Sequence, residues 1–375
     1  MTERIRRARQ AKGWSQSRLI YEIEQYARHK LLPVAATSSL RTYVSEWENG
    51  RRSIGEPYRS ILRSLFGMTD QELYEQTAQT FPEVDGYDEL VARIDAAHVI
   101  SRSVVETFDR QTELLRTIDR QMGAAQLTDQ MSAHLDTLNE ALTFAVLPDS
   151  RRPVAEALAG ASTLAAWQAL DVGAADRAWR HYELAKTAAR EAEQPKYLAH
   201  AMGEQAYVLA DAGKTSVAVQ LVEEALRVGG RAIPARLTAW LWAAKAELHA
   251  QNGDEVDCRD ALDSAARHLP ADNALRDPSM PSIFLTEAHM TRWRGNALAL
   301  LGDEGAVTDL YSALEGMDPS FSRAQSGLHA DLAQAHLIRG EHSEAAEQLR
   351  AARLLANRTG SVRHRRRIER LTMRL

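Results

Sequence analysis

The sequence predicts an all-α protein in which a compact set of short helices precedes a long array of helix pairs. Three observations support this fold class. The chain has 375 residues, 45% hydrophobic and 26% charged, and no convincing run of alternating β-branched residues. Gly and Pro are few and stand between the helical segments. From about residue 157 onward, glycines recur about every 40 residues, which is typical of a repeated helix–turn–helix unit.

The N-terminal residues 1–80 predict a small helical head. Its first helix covers about Thr2–Lys12 and ends at Gly13. Ser15 is a good N-cap, so a second helix is expected to start at Gln16.

Three further helices are expected in the head. The third turns Val44 and Trp47 inward and ends at Gly50. The fourth covers residues 56–66. Thr69, with a glutamate three residues later, forms a capping box for a fifth.

Charge is distributed unevenly along the chain. Residues 1–80 carry 13 Lys and Arg against 9 Asp and Glu, whereas residues 81–375 carry 33 against 42. The net charge of the whole chain is −5. A basic head on an acidic body indicates that the head meets a polyanion such as nucleic acid and that the body does not.

Two segments of the head carry a resemblance to a known family. RQAKGWSQ at 9–16 and SEWENG at 45–50, followed by one more helix, resemble the Cro/CI-type (XRE) helix-turn-helix domain. In that family the helix ending in ENG enters the major groove of DNA. The resemblance implies base reading by Arg41, Thr42, Tyr43 and Glu46. It implies phosphate contacts by Gln16, Ser45, Arg51 and Arg52.

The same resemblance implies an internal ion pair between Arg9 and Glu48, which would tie the first helix to the end of the third. The head departs from the family in one respect, because 24 residues separate Gln16 from Arg41 and the family has fewer. The surplus, residues 25–37, is expected to lengthen the second helix and to add a loop around Pro33. The alternative is a degenerate helical domain that makes protein contacts.

Residues 81–156 predict longer amphipathic helices, split near Gly123, that form a linker and dimerisation region. Four apolar residues there have helical spacing, and they indicate either core packing or a coiled-coil dimer seam. They are Leu114, Leu115, Ile118 and Met122.

Residues 157–360 predict five helix pairs anchored on the turn glycines Gly173, Gly213, Gly253, Gly302 and Gly340. Small residues stand seven before each glycine, and mostly small ones stand five and twelve after it, so that paired helices can approach closely. The register resembles tetratricopeptide (TPR) repeats, with a longer period. The loop at 270–282, with three prolines, accounts for the longest step.

The inner helices of such a stack are expected to present one row of ligand-binding residues. These are Trp167, His200, Tyr207, Trp240, Glu247, His289, Arg292, Asn296 and Gln334. In TPR proteins this row often binds an extended peptide. The alternative is that the row packs against a neighbouring helix or a second subunit.

The last segment, residues 361–375, is rich in arginine and predicts a basic helix that caps the stack. Its arginines are Arg363, Arg365, Arg366, Arg367, Arg370 and Arg374. Two interpretations stay open, a solvated outer face or a second contact with nucleic acid.

The combination of head and body is similar to the peptide-pheromone-responsive regulators of Gram-positive bacteria and to actinobacterial regulators. It implies a cytoplasmic, homodimeric transcriptional regulator that binds a double-stranded DNA operator and senses a signalling peptide or small molecule, as in quorum sensing. The different-class alternative is a TPR scaffold or adaptor that recruits a protein partner, with DNA binding secondary.

Several function classes are disfavoured by the sequence. The longest notable uncharged run, residues 157–170, is shorter than a membrane span, and the basic N-terminus lacks the apolar stretch of a secretory signal. The single cysteine, Cys258, excludes disulfides and CxxC motifs. No nucleophile–base constellation and no metal-ligand spacing is present. We therefore expect no enzymatic activity, no cofactor, no metal and no membrane partner.

Overall fold

The computed structural model describes residues 2–49, 52, 54–69, 86–98, 100–271, 276–277 and 279–375. The chain forms two compact units, Met1–Glu89 and Leu90–Leu375, which we call the head and the body. Almost all of the regular structure in the described residues is α-helical, so the predicted all-α class is confirmed. None of the helices that the structure describes combines the length and the apolar character needed to cross a bilayer.

The head contains four described helices around one apolar core. They are α1 (Thr2–Ala11), α2 (Gln16–Lys30), α3 (Thr37–Glu48) and α4 (Tyr58–Phe66). Its most buried side chains are Ile5, Leu19, Ile23, Leu40, Val44, Trp47, Ile61 and Leu62. The predicted cap is confirmed, because Ser15 Oγ accepts a hydrogen bond from the Arg18 N–H at 3.1 Å. The expected helix stop at Gly50 and the fifth helix with Glu72 lie outside the described residues.

The segment that separates α2 from α3 is longer than the helix-turn-helix resemblance implies, as the sequence predicted. Helix α2 runs on to Lys30, where Leu31 takes a left-handed conformation with φ of 54°. The connecting loop passes over α4, and the Ala35 N–H donates to the Tyr58 hydroxyl at 2.7 Å. Its end is fixed by Thr37, whose hydroxyl donates to Glu24 at 2.6 Å. The insertion is thereby tied to the head at two points.

Three helices and a short 3₁₀ turn precede the repeats, and the first helix spans the boundary between the two units at 89/90. They are α5 (Gly86–His98), α6 (Arg102–Met122), the turn Ala124–Gln126 and α7 (Thr128–Phe144). The predicted split at Gly123 is confirmed, and this glycine has φ of 85°. The four apolar residues of α6 that have helical spacing differ in burial. Leu115 is buried, but Leu114 and Met122 are 61% and 52% exposed, so core packing was the wrong expectation for those two.

Five antiparallel helix pairs follow, and they confirm the predicted repeat. The pairs are α8 (Pro148–Asp171) with α9 (Ala175–Glu191), α10 (Pro195–Asp211) with α11 (Thr215–Gly229), α12 (Ala235–Asn252) with α13 (Glu255–His268), α14 (Glu287–Leu300) with α15 (Ala306–Glu315), and α16 (Ser322–Ile338) with α17 (His342–Thr359). All five turn glycines have φ between 75° and 81°, a conformation that favours glycine. The expected domain boundary at 156/157 falls inside α8.

The spacing of small residues explains how the pairs pack. Ala166, Ala206, Ala246 and Ala333 are fully buried where the two helices of a pair approach. The larger residues nine positions after each glycine fill the gap to the next pair, with one exception. Tyr311 is 38% exposed, and its hydroxyl lies 3.2 Å from His336 Nε2.

A two-stranded antiparallel ribbon lies in the long connection between α13 and α14, which the sequence predicted only as a loop. It consists of β1 (Arg276–Asp277) and β2 (Met280–Phe284). Met280 and Ile283 of β2 are buried against the neighbouring pairs. The ribbon places Phe284 beside the inner helices, where it becomes part of the cavity described below.

The last helix, α18 (Val362–Thr372), packs against the inner helices of the body. Ile368 and Leu371 are buried in one cluster with Ala330 and Ala333 of α16. The expectation of a solvated arginine face is wrong for Arg363 and Arg367. Both are engaged in ion pairs with aspartates of the inner helices.

A buried ion-pair cluster joins the first and last parts of the body. Arg323 of α16 lies 2.5 and 3.0 Å from the carboxylate of Asp119 and 3.5 Å from that of Asp171. Ser361, at the start of α18, donates to the other oxygen of Asp171 at 2.6 Å. Burial alone would lower the pKa of Arg323, but the two aspartates raise it above its usual value. This cluster holds α6, α8, α16 and α18 in one arrangement.

We expect Arg323→Met to destabilise the body by about 3–5 kcal/mol, because it leaves two buried carboxylates without their cation. Since the chain has two units, global unfolding is not a two-state measurement, and hydrogen exchange read by mass spectrometry is preferable. Amides of α6 and α16 should exchange at least roughly 100-fold faster. Arg350→Met, at an exposed position of α17, is the matched control. Equal protection in both variants would contradict the role of the cluster.

Candidate nucleic-acid interface and ligand pocket

In the head, a buried ion pair fixes the end of α3, as the helix-turn-helix resemblance implied. Arg9 of α1 reaches the Glu48 carboxylate with Nε at 2.6 Å and Nη2 at 3.1 Å. The Glu48 side chain is fully buried. Its burial alone would raise the pKa of this carboxyl, but hydrogen bonds from Arg9 and Gln16 and the charge of Arg9 hold the pKa below its usual range. The carboxylate therefore stays charged and keeps α1 and α3 together.

The predicted reading helix α3 has one apolar and one polar side. Leu40, Val44 and Trp47 are buried on the inner side. Arg41 and Thr42 are exposed on the other side. A helix that is anchored on one side and exposed on the other can present side chains to the edges of base pairs.

Ser45 and Glu46 continue the outer side of α3 and are half-buried. Glu46 is engaged within the head, because its carboxylate lies 3.3 Å from Arg52. The pair is partly exposed, so the contact is weak and can be exchanged for another partner.

Tyr43 is the base-reading candidate that the structure places differently. It stands four residues before Trp47 and therefore shares the inner side of the helix. Its ring packs against those of Trp47 and Tyr58, with centroids about 6 Å apart, and the guanidinium of Arg52 covers it at 3.8 Å. Tyr43 is thus part of an aromatic cluster behind Arg41 and Thr42.

Two of the four phosphate candidates have a partner inside the head. The Gln16 side-chain amide donates to Glu48 at 2.8 Å, and Arg52 is held by Glu46 and Tyr43. Ser45 is half-buried, and Arg51 lies outside the described residues. The internal bond of Gln16 was not expected, because it depends on how deeply Glu48 is buried.

In the body, the inner helices and α18 enclose a cavity of about 650 Å³. Eight of the nine predicted ligand-binding residues line it. They are Trp167, Tyr207, Trp240, Glu247, His289, Arg292, Asn296 and Gln334. The ninth, His200, is buried one layer behind, with its ring 5.6 Å from Trp240 and its Nε2 3.1 Å from Glu204. The repeat register therefore brought the predicted row to a single site.

Aromatic rings form much of the cavity wall. Trp240 and Trp293 lie 5.6 Å apart, and Trp167 meets Tyr207 edge to face at 6.0 Å. A further pair, Phe284 of β2 with Phe321 before α16, has centroids 5.8 Å apart. Tyr207 is buried, but the other five rings are half-buried and leave flat apolar surface available to a ligand.

Two arginines of α18 line the cavity and pair with aspartates on the inner helices. Arg363 makes a bidentate contact with Asp211, at 2.6 and 3.0 Å. Its guanidinium also lies 5.5 Å from the rings of Trp167 and Tyr207. Arg367 bonds to Asp331 at 2.5 Å.

The second arginine on Asp331 comes from an inner helix. Arg292 of α14 lies 3.2 Å from the other carboxylate oxygen of Asp331. One buried carboxylate therefore contacts two guanidinium groups, and a net positive charge remains at this position.

The surplus of positive charge affects two histidines in the wall. Burial, with Arg292 and Arg120, lowers the pKa of His289 to about 4. Burial and the neighbouring arginines lower the pKa of His364 well below its ordinary value. Both imidazoles are therefore neutral near pH 7, and the cavity carries its positive charge on arginine alone.

Two buried polar atoms in the wall lack a hydrogen-bond partner among the described residues, Asn296 Oδ1 and His364 Nδ1. Asn296 is 4% exposed, and its Oδ1 has no hydrogen bond among the described residues. The neighbouring Tyr207 hydroxyl, by contrast, donates to Glu247 at 3.0 Å. A buried amide oxygen without a donor is costly, so this atom is suited to bind a ligand donor.

The arginines of α18 were not among the residues predicted for this site. Arg363, Arg367, Arg370 and Arg374 all line the cavity. Their spacing of four, three and four residues puts them on one helical face, and this signal was present in the sequence. Arg120 of α6 also lines the cavity, but it comes from a distant segment, and no sequence pattern marks it.

Comparisons with known proteins leave the family open. No protein-family model matches the chain, and no curated protein matches it. Among solved structures, one match is a crystal structure from Podosopora anserina described as kinesin light chain nearly identical TPR-like repeats. It is 17% identical, covers 53% of this chain and 94% of that chain, and has a TM-score of 0.34. The helical-repeat architecture of the body accordingly follows from its own helix pairs.

We expect Arg9→Ala to destabilise the head by about 3–5 kcal/mol, because Glu48 would stay buried without its main cation. In the full-length protein, amides of α1 and α3 should exchange at least roughly 100-fold faster, while those of the body should be unchanged. Arg28→Ala, at an exposed position of α2, provides the control. Unchanged exchange in α3 of the Arg9 variant would show that this pair does not hold the helix.

Proposed function

We propose that the chain is a sequence-specific DNA-binding transcriptional regulator. The observation that carries the proposal is the arrangement of α3. Arg41 and Thr42 are exposed on one face, while Val44 and Trp47 anchor the opposite face in the core. An arginine on such a helix can bond a guanine at two points, and a threonine can contact a thymine methyl group.

The head would bind a palindromic operator as part of a homodimer. Two reading helices about 34–36 Å apart meet successive major grooves, so a dimer is the expected form. The net positive charge of residues 1–80 favours approach to the phosphate backbone. Tyr43 would act from behind, by supporting the exposed residues of α3, and Gln16 would have to exchange its bond to Glu48 for a phosphate. A regulator of this kind acts in the cytoplasm.

The body would dimerise and sense a ligand in its cavity. Ligand binding can change operator affinity only if it favours one arrangement of the two heads over another. The cavity is suited to this role because it is lined by every inner helix and by α18, so a ligand there contacts repeats that are distant in sequence. The body is not proposed to be an enzyme.

A second candidate function is that of a scaffold or adaptor that recruits a protein partner. It is favoured by large apolar side chains exposed on the outer helices. They include Trp179 of α9, Val217 of α11, Val256 of α13 and Leu354 of α17. Scattered exposed apolar residues are common on protein surfaces, so we rank this function second.

Genome-wide DNA capture with the purified protein, followed by titration of the enriched duplex, tests the proposal. We expect Arg41→Ala to weaken binding of the enriched site by about 1–3 kcal/mol and to weaken non-specific binding much less. Arg28→Ala serves as the matched loss of charge on another helix. If both affinities fell equally, Arg41 would be a phosphate contact. If no duplex were enriched, the adaptor function would be favoured.

A further inference from the structure

We propose that the cavity of the body binds a small organic anion, in which a carboxylate or phosphate group is attached to a flat apolar portion. The anionic group would meet the arginines of α18, and the flat portion would lie against the tryptophans of the inner helices. This inference names the ligand class for the sensing site, and only its link to DNA rests on the proposed function.

The size of the ligand follows from the position of α18. This helix occupies the inner face of the repeats, where Ile368 and Leu371 are buried and Arg363 and Arg367 are paired. An extended peptide along the inner helices would have to displace it. The remaining cavity of about 650 Å³ lies within the range of pockets that hold small molecules.

The sign of the ligand's charge follows from the arginines and their partners. Arg292 and Arg367 share the single carboxylate of Asp331. Arg370 and Arg374 line the same cavity, and in the described part of the chain neither has a carboxylate within ion-pair distance. Among the described residues, seven arginines line the cavity, against three acidic residues in its wall and three buried aspartates that pair with these arginines, Asp119, Asp171 and Asp331. Guanidinium groups bind carboxylate and phosphate in a planar, two-point geometry, so an anion completes this site.

The acidic side chains of the cavity are already engaged. Asp211 is held by Arg363, and Glu247 accepts the hydrogen bond of the Tyr207 hydroxyl. Glu204 lies 3.1 Å from His200. A cationic ligand would therefore have to compete with these partners, whereas an anion can bind Arg370 and Arg374, which have no ion pair in the described part of the chain.

The flat apolar portion is indicated by the aromatic wall. Trp240 and Trp293 are half-buried and adjacent, and both present surface to the cavity. The unpartnered Oδ1 of Asn296 adds one hydrogen-bond acceptor on the same helix as Trp293. A ligand with an aromatic ring and one hydroxyl or N–H donor would satisfy all three groups.

Calorimetric titration of the full-length protein without DNA tests the proposal. The probes are 2-naphthoate, 2-naphthyl phosphate, the uncharged analogue 2-naphthylmethanol and inorganic phosphate. We expect at least one of the two naphthyl anions to bind at least about tenfold more tightly than the alcohol and than inorganic phosphate, since charge and ring both contribute. The naphthoate and phosphate arms distinguish the two anionic groups.

Variants locate the binding. The double variant Arg370→Gln/Arg374→Gln should lower the affinity for the anion at least about tenfold. Arg366→Gln should leave that affinity unchanged. Arg366 is an exposed arginine of the same helix that does not line the cavity. Asn296→Asp keeps the size of the side chain and adds a negative charge. It should lower the affinity for the anion by a similar factor.

Three results would overturn the proposal. They are no binding of either naphthyl anion at millimolar concentration, equal binding of the alcohol and the anions, or equal effects of the Arg366 and the double variants. Tight binding of an unstructured peptide with an amidated C-terminus, with release of α18 seen by hydrogen exchange, would also overturn it. Because these titrations contain no DNA, their outcome is independent of whether the head binds an operator.

Discussion

Three aspartates on the inner helices of the body bind the C-terminal helix, and the shape of the cavity depends on the position of that helix. Asp171 accepts the hydrogen bond of Ser361, Asp211 holds Arg363, and Asp331 holds Arg367. Asp331 is fully buried, and a buried carboxylate is costly without a cation, so its pair with Arg367 favours one position of α18. Asp211 is exposed, so its pair with Arg363 contributes less. Because α18 lies on the inner face, this helix and the repeats line the cavity together, and an extended peptide along the inner helices would have to displace α18.

The repeat architecture could be predicted from the sequence because each feature is local. A turn glycine and the residues around it, such as Ala206 before and Ala218 after Gly213, determine how two helices meet, and the pattern recurs five times. The row from Trp167 to Gln334 could be predicted for the same reason, since equal register places residues on the same face. The ribbon that carries Phe284 could not, because its short strands have no periodicity.

The position of α18 could not be predicted from local pattern. The spacing of its arginines marks one face of α18, but no pattern in the sequence indicates which residues that face contacts. Asp331 lies 36 residues before Arg367, and Asp211 lies 152 residues before Arg363. In the head, the Arg9–Glu48 pair was implied by family resemblance and is present. The half-burial of Tyr43 against Trp47 and Tyr58 could not be predicted, because Tyr58 lies on another helix.

Helix α18 is a packed part of the body, and hydrogen exchange of the unmodified full-length protein measures how firmly it is held. If the aspartates of the inner helices hold this helix, amides within residues 362–372 should be protected to about the same degree as those of α16, its packing partner. Exchange of the α18 amides at the rate of an unstructured peptide, with α16 still protected, would contradict the account. The inner face would then be an open groove.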